Sequence, residues 1–172
     1  MRAVTKHIEG VPEEWKSTND WDSHRELLWL AVNKCIGNIV EVGCGYGSTL
    51  LLQKYCKQNN QWFISLDNNK EWVDKFDATG YAEDLVGCAL SYVPCAVLFI
   101  DFAPGELRRN AISEMRDDAD VIVVHDTEPG ANYVYGMKEV LSTFKYRLDY
   151  QPEGKPHTTA VSNTINILEW ID

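Results

Sequence analysis

Residues 39–49, Ile-Val-Glu-Val-Gly-Cys-Gly-Tyr-Gly-Ser-Thr, decide the fold. They read as a buried strand running straight into a glycine turn and a helix start. Gly43, Gly45 and Gly47 let the backbone take positive φ and approach a ligand with no Cβ in the way. Ser48 or Thr49 can cap the following helix, whose N–H groups then face that ligand. A turn of this kind suits a nucleotide-like molecule. The dinucleotide fingerprint G-x-G-x-x-G/A needs Gly or Ala where this chain has Ser48, and an acidic Glu41 stands two residues before the first glycine. Both departures point away from a pyrophosphate ligand.

The next apolar run, Trp62-Phe63-Ile64-Ser65-Leu66-Asp67, ends in a carboxylate 24 residues after Gly43. A ribose-binding acid is expected about 20 residues on, at the end of the neighbouring strand. Such a carboxylate can accept hydrogen bonds from both ribose hydroxyls. By itself Asp67-Asn68-Asn69 is also an ordinary polar turn. Next to the glycine turn, the ribose role is the better reading.

With 172 residues, 45% of them hydrophobic, the chain has the size and core of one domain, 1–172, with residues 1–20 as an N-terminal arm. Its net charge is −10, and no Lys/Arg block is long enough to track a phosphate backbone, so nucleic acid is not the expected partner. Five cysteines, Cys35, Cys44, Cys56, Cys88 and Cys95, form no C-x-x-C pair and read as reduced residues of a cytoplasmic protein. Neither a signal core nor an apolar run near 18 residues occurs, which speaks against a membrane protein.

Strands and helices alternate along the chain, predicting an α/β fold with a mostly parallel sheet covered on both faces. A helix is expected over 22–35, capped by Asp22 or Ser23. Strands are expected near 38–42, 61–66, 79–86, 95–100 and 119–125. Helices should occupy about 47–58, 70–77, 105–117 and 131–143. Two closing strands near 144–150 and 158–168, separated by Pro152, Gly154 and Pro156, suggest an antiparallel edge hairpin.

Open parallel sheets bind ligands at the carboxyl ends of their strands. Two of those ends are acidic here. Ala96 to Ile100 leads into Asp101, and Val121 to Val124 leads into His125-Asp126-Thr127-Glu128. One such Asp is commonly a cap, but two at adjacent strand ends beside a ligand turn favour a functional site. His125 closes an apolar run where a polar ring meets the cleft, although a purely structural histidine would look the same.

The E-x-G-x-G-x-G turn, with Asp67, Asp101 and the V-x-H-D-T element, resembles the class I S-adenosylmethionine (AdoMet)-dependent methyltransferases. It is most similar to small-molecule O-methyltransferases such as those acting on macrolide sugars, and the resemblance runs from about residue 22 onward. It implies a Rossmann-like, seven-stranded sheet with AdoMet as cofactor. Glu41 would address the amino end of the methionine, and Gly43, Gly45, Gly47, Ser48 and Asp67 would complete the cofactor site. The acceptor would be a small molecule methylated at oxygen or nitrogen, with His125, Asp101 and Asp126 as catalytic candidates. Related catechol-type enzymes hold a divalent metal on an Asp and an Asp-Asn pair, matching Asp101, Asp126 and, imperfectly, Thr127. Thr127 replaces the amide and Pro104 stands where those enzymes have Lys, so no metal is favoured.

Arg108 and Arg109 read first as salt-bridge partners of the acidic cluster and second as an anion clamp. Trp15, Trp21, Tyr133 and Tyr135 are candidates to wall an acceptor, or are ordinary packing residues. Two other functions remain open. A nicotinamide-dependent oxidoreductase conflicts with the glycine spacing and Glu41. A non-catalytic AdoMet-binding or regulatory module would keep the cofactor residues without needing the polar strand ends.

Overall fold

The computed structural model describes residues 1–77 and 79–171. An eight-stranded sheet forms its centre: β1 (Arg2–Val4), β2 (Ile39–Val42), β3 (Phe63–Asp67), β4 (Thr79–Tyr81), β5 (Cys95–Ile100), β6 (Ala119–His125), β7 (Tyr146–Tyr150) and β8 (Thr158–Ser162). Across the sheet the order is β1-β7-β8-β6-β5-β2-β3-β4. Only β8 runs against its neighbours β6 and β7, so the closing strands form the antiparallel element expected. Helices α1 (Arg25–Lys34), α2 (Thr49–Asn59), α3 (Lys70–Val73), α4 (Leu85–Ala89), α5 (Arg108–Glu114), α6 (Pro129–Tyr135) and α7 (Met137–Ser142) fill the connections. Among the described residues no helix is long and apolar enough to cross a membrane.

Every residue of β2 and β5 is buried, as a strand covered on both faces requires. Side chains alternate between two cores. Val97, Phe99, Val121 and Val123 pack with Leu27, Leu28 and Ala31 of α1. Leu98, Ile100, Ile122 and Val124 pack on the other face with Ile112 of α5 and Leu141 of α7. The period-2 rule then puts Asp101 and His125 on the α1 side as β5 and β6 run out of the sheet.

Several expectations change. The sheet has eight strands rather than seven, because Arg2–Val4 pairs in parallel with β7, with Arg2 opposite Leu148 and Val4 opposite Tyr150. That pairing covers an otherwise open edge of β7. The 1–20 segment is therefore no loose arm: Ile8, Val11 and Trp15 are buried in the α1-side core, and the buried Glu26 carboxylate accepts the Ile8 N–H at 2.8 Å. Neither Asp22 nor Ser23 caps α1. Asp22 instead accepts from the N–H groups of Thr18 and Asn19, both at 2.9 Å. The single helix expected over 131–143 breaks at Gly136, whose φ is +64°, into α6 and α7. The third and last strands stop early, at Tyr81 and Ser162, and α5 begins only at Arg108 after a 3₁₀ turn.

One backbone approach locks the central strand ends together. A Cβ on Gly43 would lie 2.0 Å from the Asp101 carbonyl oxygen, and Gly43 has φ +97°. Gly45, by contrast, faces open space, with only the Gly47 nitrogen within reach at 4.0 Å. Gly43→Ala should therefore destabilise the fold by about 3 kcal/mol or more, through overlap and backbone strain together. Gly45→Ala should stay within roughly 0.5 kcal/mol of the parent. Paired urea denaturation curves check both, and equal midpoints would contradict the assignment.

Candidate functional site at the carboxyl ends of the strands

β2, β3, β5 and β6 all run in one direction, so Gly43, Asp67, Asp101 and His125 come out along the same sheet edge. Asp67 is tied to the glycine turn. Its Oδ2 accepts the Cys44 N–H at 2.8 Å and its Oδ1 accepts the Asn69 N–H at 2.7 Å, which fixes the carboxylate plane. Both oxygens keep a second lone pair for a ligand hydroxyl.

The three glycines have three different uses. Gly43 alone of the three has positive φ, which corrects the expectation for Gly45 and Gly47. At Gly47 an added Cβ would lie 2.9 Å from both His24 Cε1 and the Trp21 carbonyl oxygen, so this glycine makes room for the segment before α1. Gly45 leaves the turn open where its side chain would stand.

Glu41 lies beneath the turn, fully buried. Its carboxylate accepts from the Ser48 hydroxyl and, at 2.8 Å, from the Thr49 hydroxyl. Ser48 thus makes no side-chain cap for α2, contrary to expectation. Thr49 Oγ1 also accepts the Gly45 N–H at 2.8 Å, so a carboxylate and two hydroxyls brace the turn from inside. Arg25 holds it from outside, donating from Nε to the Gly47 carbonyl at 2.8 Å.

At the neighbouring strand ends, Arg108 organises the acids. Its Nη2 lies 3.0 Å from Asp101 Oδ1 and its Nη1 lies 3.1 Å from Asp126 Oδ2. The same guanidinium donates to the carbonyls of Phe102 at 2.8 Å and His125 at 3.1 Å. The salt-bridge reading therefore holds for Arg108. Arg109 lies instead beside Gly136. His125 is 4% exposed, with Nδ1 at 3.2 Å from Asp101 Oδ2 and Nε2 at 2.9 Å from Ser23 Oγ. Burial favours a neutral His125, but Asp101 and Asp126 outweigh it and raise its pKa. Burial likewise disfavours an ionised Asp101, yet His125 and Arg108 hold its carboxyl well below the usual range.

The catechol-type metal set does not assemble. Arg108 occupies the space between the Asp101 and Asp126 carboxylates. Asp126 has φ +55°, and the chain turns so that Thr127 Oγ1 accepts from Thr159 Oγ1 at 2.8 Å, buried away from the acids. Trp15 is also excluded from the site, being 3% exposed and edge-on to Tyr55. Trp21 and Tyr133 are 86% and 89% exposed. Tyr135 packs under Arg108, its ring centroid 5.3 Å from the guanidinium carbon.

His24 carries no expectation in the sequence, and Ser23, an alternative to Asp22 as the cap of α1, faces His125 instead. A Ser-His pair just ahead of an apolar helix face, pointing at the sheet, was the available signal. A concavity of about 390 Å³ lined by Gly37, Asn38, Cys95 and Ala119 lies at the opposite strand ends, away from this chemistry.

No family model matches the sequence, and no curated protein matches it. Solved structures do. The chain superposes on cofactor-bound Rv0187 from MTB with a TM-score of 0.60 at 13% identity, covering 91% of this chain and 85% of that one. On the METTL16 MTase domain the TM-score is 0.57 at 10% identity, covering 90% and 73%. At such identities the likeness is one of fold: this chain has the Rossmann-like class I methyltransferase fold, with one strand added at its edge.

Burial pushes the Glu41 carboxyl from an ordinary 4.5 up to about 7. Its folded pKa being raised, the folded state keeps a proton that the unfolded chain has lost between those values. The stability this group contributes is full below pH 4.5 and is lost as pH rises toward 7. Glu41→Gln should abolish that slope, so that the variant gains on the parent by on the order of 3 kcal/mol between pH 4.5 and 8. Urea midpoints across that range measure it, and parallel curves for the two proteins would refute the raised pKa.

Proposed function

We propose that this chain binds AdoMet across the glycine turn and Asp67 and transfers its methyl group to an oxygen or nitrogen of a small-molecule acceptor. The observation that carries this reading is the Cys44 N–H to Asp67 bond. It holds a ribose-type acceptor and an open glycine turn in fixed register, as one ligand spanning both would require. Gly45 leaves the space that such a ligand would fill. Glu41 acts by holding the turn, with Ser48 and Thr49 transmitting its position.

Bound AdoMet supplies an electrophilic methyl on a sulfonium, which needs an aligned nucleophile more than strong activation. Asp101, Asp126 and His125 form the polar floor beside the turn. Asp101 and Asp126, with side chains 25% and 26% exposed, are the members an acceptor can touch. His125 orients Asp101, and Arg108 bridges the two carboxylates. Trp21 and Tyr133 are large, exposed and near this edge, and suit an apolar or flat acceptor. A net charge of −10 disfavours a polyanion in that role.

A non-catalytic AdoMet-binding module has one observation behind it: both His125 nitrogens and both Asp carboxylates already have partners within the protein. Turnover separates the readings. If AdoMet binds yet no acceptor from a broad hydroxyl and amine set yields S-adenosylhomocysteine above the Asp101→Asn background, the module is the better description.

Calorimetry with AdoMet and S-adenosylhomocysteine should show one site. Asp67→Ala should weaken it by about 1.5–3 kcal/mol, the range for hydrogen bonds to a charged group. Gly45→Val should remove binding by filling the turn while the protein stays folded. Unchanged affinity in both variants would place the ligand elsewhere.

A further inference from the structure

Three ligand-type side chains meet in the floor of the site. His24 comes from the turn before α1, Asp101 from the end of β5 and His125 from the end of β6. One ring nitrogen or carboxylate oxygen from each lies within 4.8 Å of the other two. His125 Nδ1 and Asp101 Oδ2 stand 3.2 Å apart. Two donors on one zinc-sized ion, each bound at about 2.0–2.2 Å, are separated by roughly 3.0–3.5 Å. The pair is therefore already spaced for an ion to replace the proton between them.

His24 is what internal hydrogen bonding fails to explain. It is 1% exposed, and among the described residues neither ring nitrogen has a hydrogen-bond partner. Its ring sits 4.7 Å from that of His125 and 4.8 Å from that of Phe99. A residue needed only to fill this space would be apolar, since a neutral imidazole always carries one N–H donor, and burying a donor unpaired is unfavourable.

The outer atoms of the other two ligands are held as metal ligands usually are. Ser23 Oγ lies 2.9 Å from His125 Nε2, and Arg108 Nη2 lies 3.0 Å from Asp101 Oδ1. Such contacts fix ring orientation and carboxylate rotation. Unlike the Asp101, Asp126 and Thr127 set, this one does not require Arg108 to move.

We propose that His24, Asp101 and His125 bind one divalent transition-metal ion of the zinc class. Two imidazoles and one carboxylate are the donor set of catalytic zinc sites, where a fourth position stays open to water or a substrate oxygen. Magnesium and calcium want more oxygen ligands than this floor offers. The inference stands on the donor set alone and does not depend on methyl transfer.

Chelator-treated full-length protein titrated with cobalt(II) gives a direct readout, because Co²⁺ in a low-coordinate nitrogen and oxygen site absorbs in the visible. One equivalent should bind, with zinc displacing it and raising Tm. His24→Phe, which fills the same space without a donor, should weaken cobalt binding at least 100-fold, and Ser23→Ala should weaken it by about 10–100-fold. His157→Ala, at a histidine outside the cluster, should bind as the parent does. Absence of a stoichiometric cobalt spectrum in the parent protein would overturn the proposal, and so would full binding by a folded His24→Phe variant. Should that variant fail to fold, the parent titration and Ser23→Ala still decide. Calorimetry with S-adenosylhomocysteine on the same samples separates the two sites: cobalt without nucleoside binding contradicts the methyl-transfer reading alone, and the reverse contradicts the metal alone.

Discussion

The Arg108 guanidinium is the contact on which the site depends. It is 5% exposed and bridges Asp101 and Asp126 while donating to the carbonyls of Phe102 and His125. Two carboxylates brought together at adjacent strand ends repel each other. A planar cation with donors on several sides offsets that repulsion and fixes their separation. It also ties β5 to β6 beyond the last residues of their ladder.

The glycine turn is joined to that platform through backbone. Gly43 touches the Asp101 carbonyl, and Asp101 N–H donates to Val42 at 2.9 Å, so the turn and the first acid move as one piece. Asp67 extends the piece to β3 through Cys44. Glu41 supports it from within at the expense of a buried carboxyl with a raised pKa. The glycine turn, Asp67 and the Asp101–Asp126 floor are thus joined into one connected edge.

Much of this was legible in the chain. Continuous apolar runs in β5 and β6 announced doubly covered strands, and the acids at their ends do come out along one edge of the sheet. The 24-residue step from Gly43 to Asp67 matched two neighbouring strands, and they pair as expected. Failures occurred where a residue's partner lies far off in sequence. Ser23 and His125 are 102 positions apart, and no local pattern distinguishes a cap from a hydroxyl facing an imidazole. Thr127, an imperfect match to an amide metal ligand in the resemblance, is turned toward Thr159 after the positive φ of Asp126.

By itself the sequence determined the α/β alternation, the glycine turn and which strand ends carry charge, because periodicity, glycine placement and strand-terminal polarity are local properties. Tertiary structure alone decided that Arg2–Val4 closes the sheet edge, that Arg108 rather than Arg109 meets the acids, and that His24 is buried beside His125 without a hydrogen bond. Those outcomes depend on how α1 and α5 seat on opposite faces of the sheet. Packing sets that geometry over distances that no window of neighbouring residues spans.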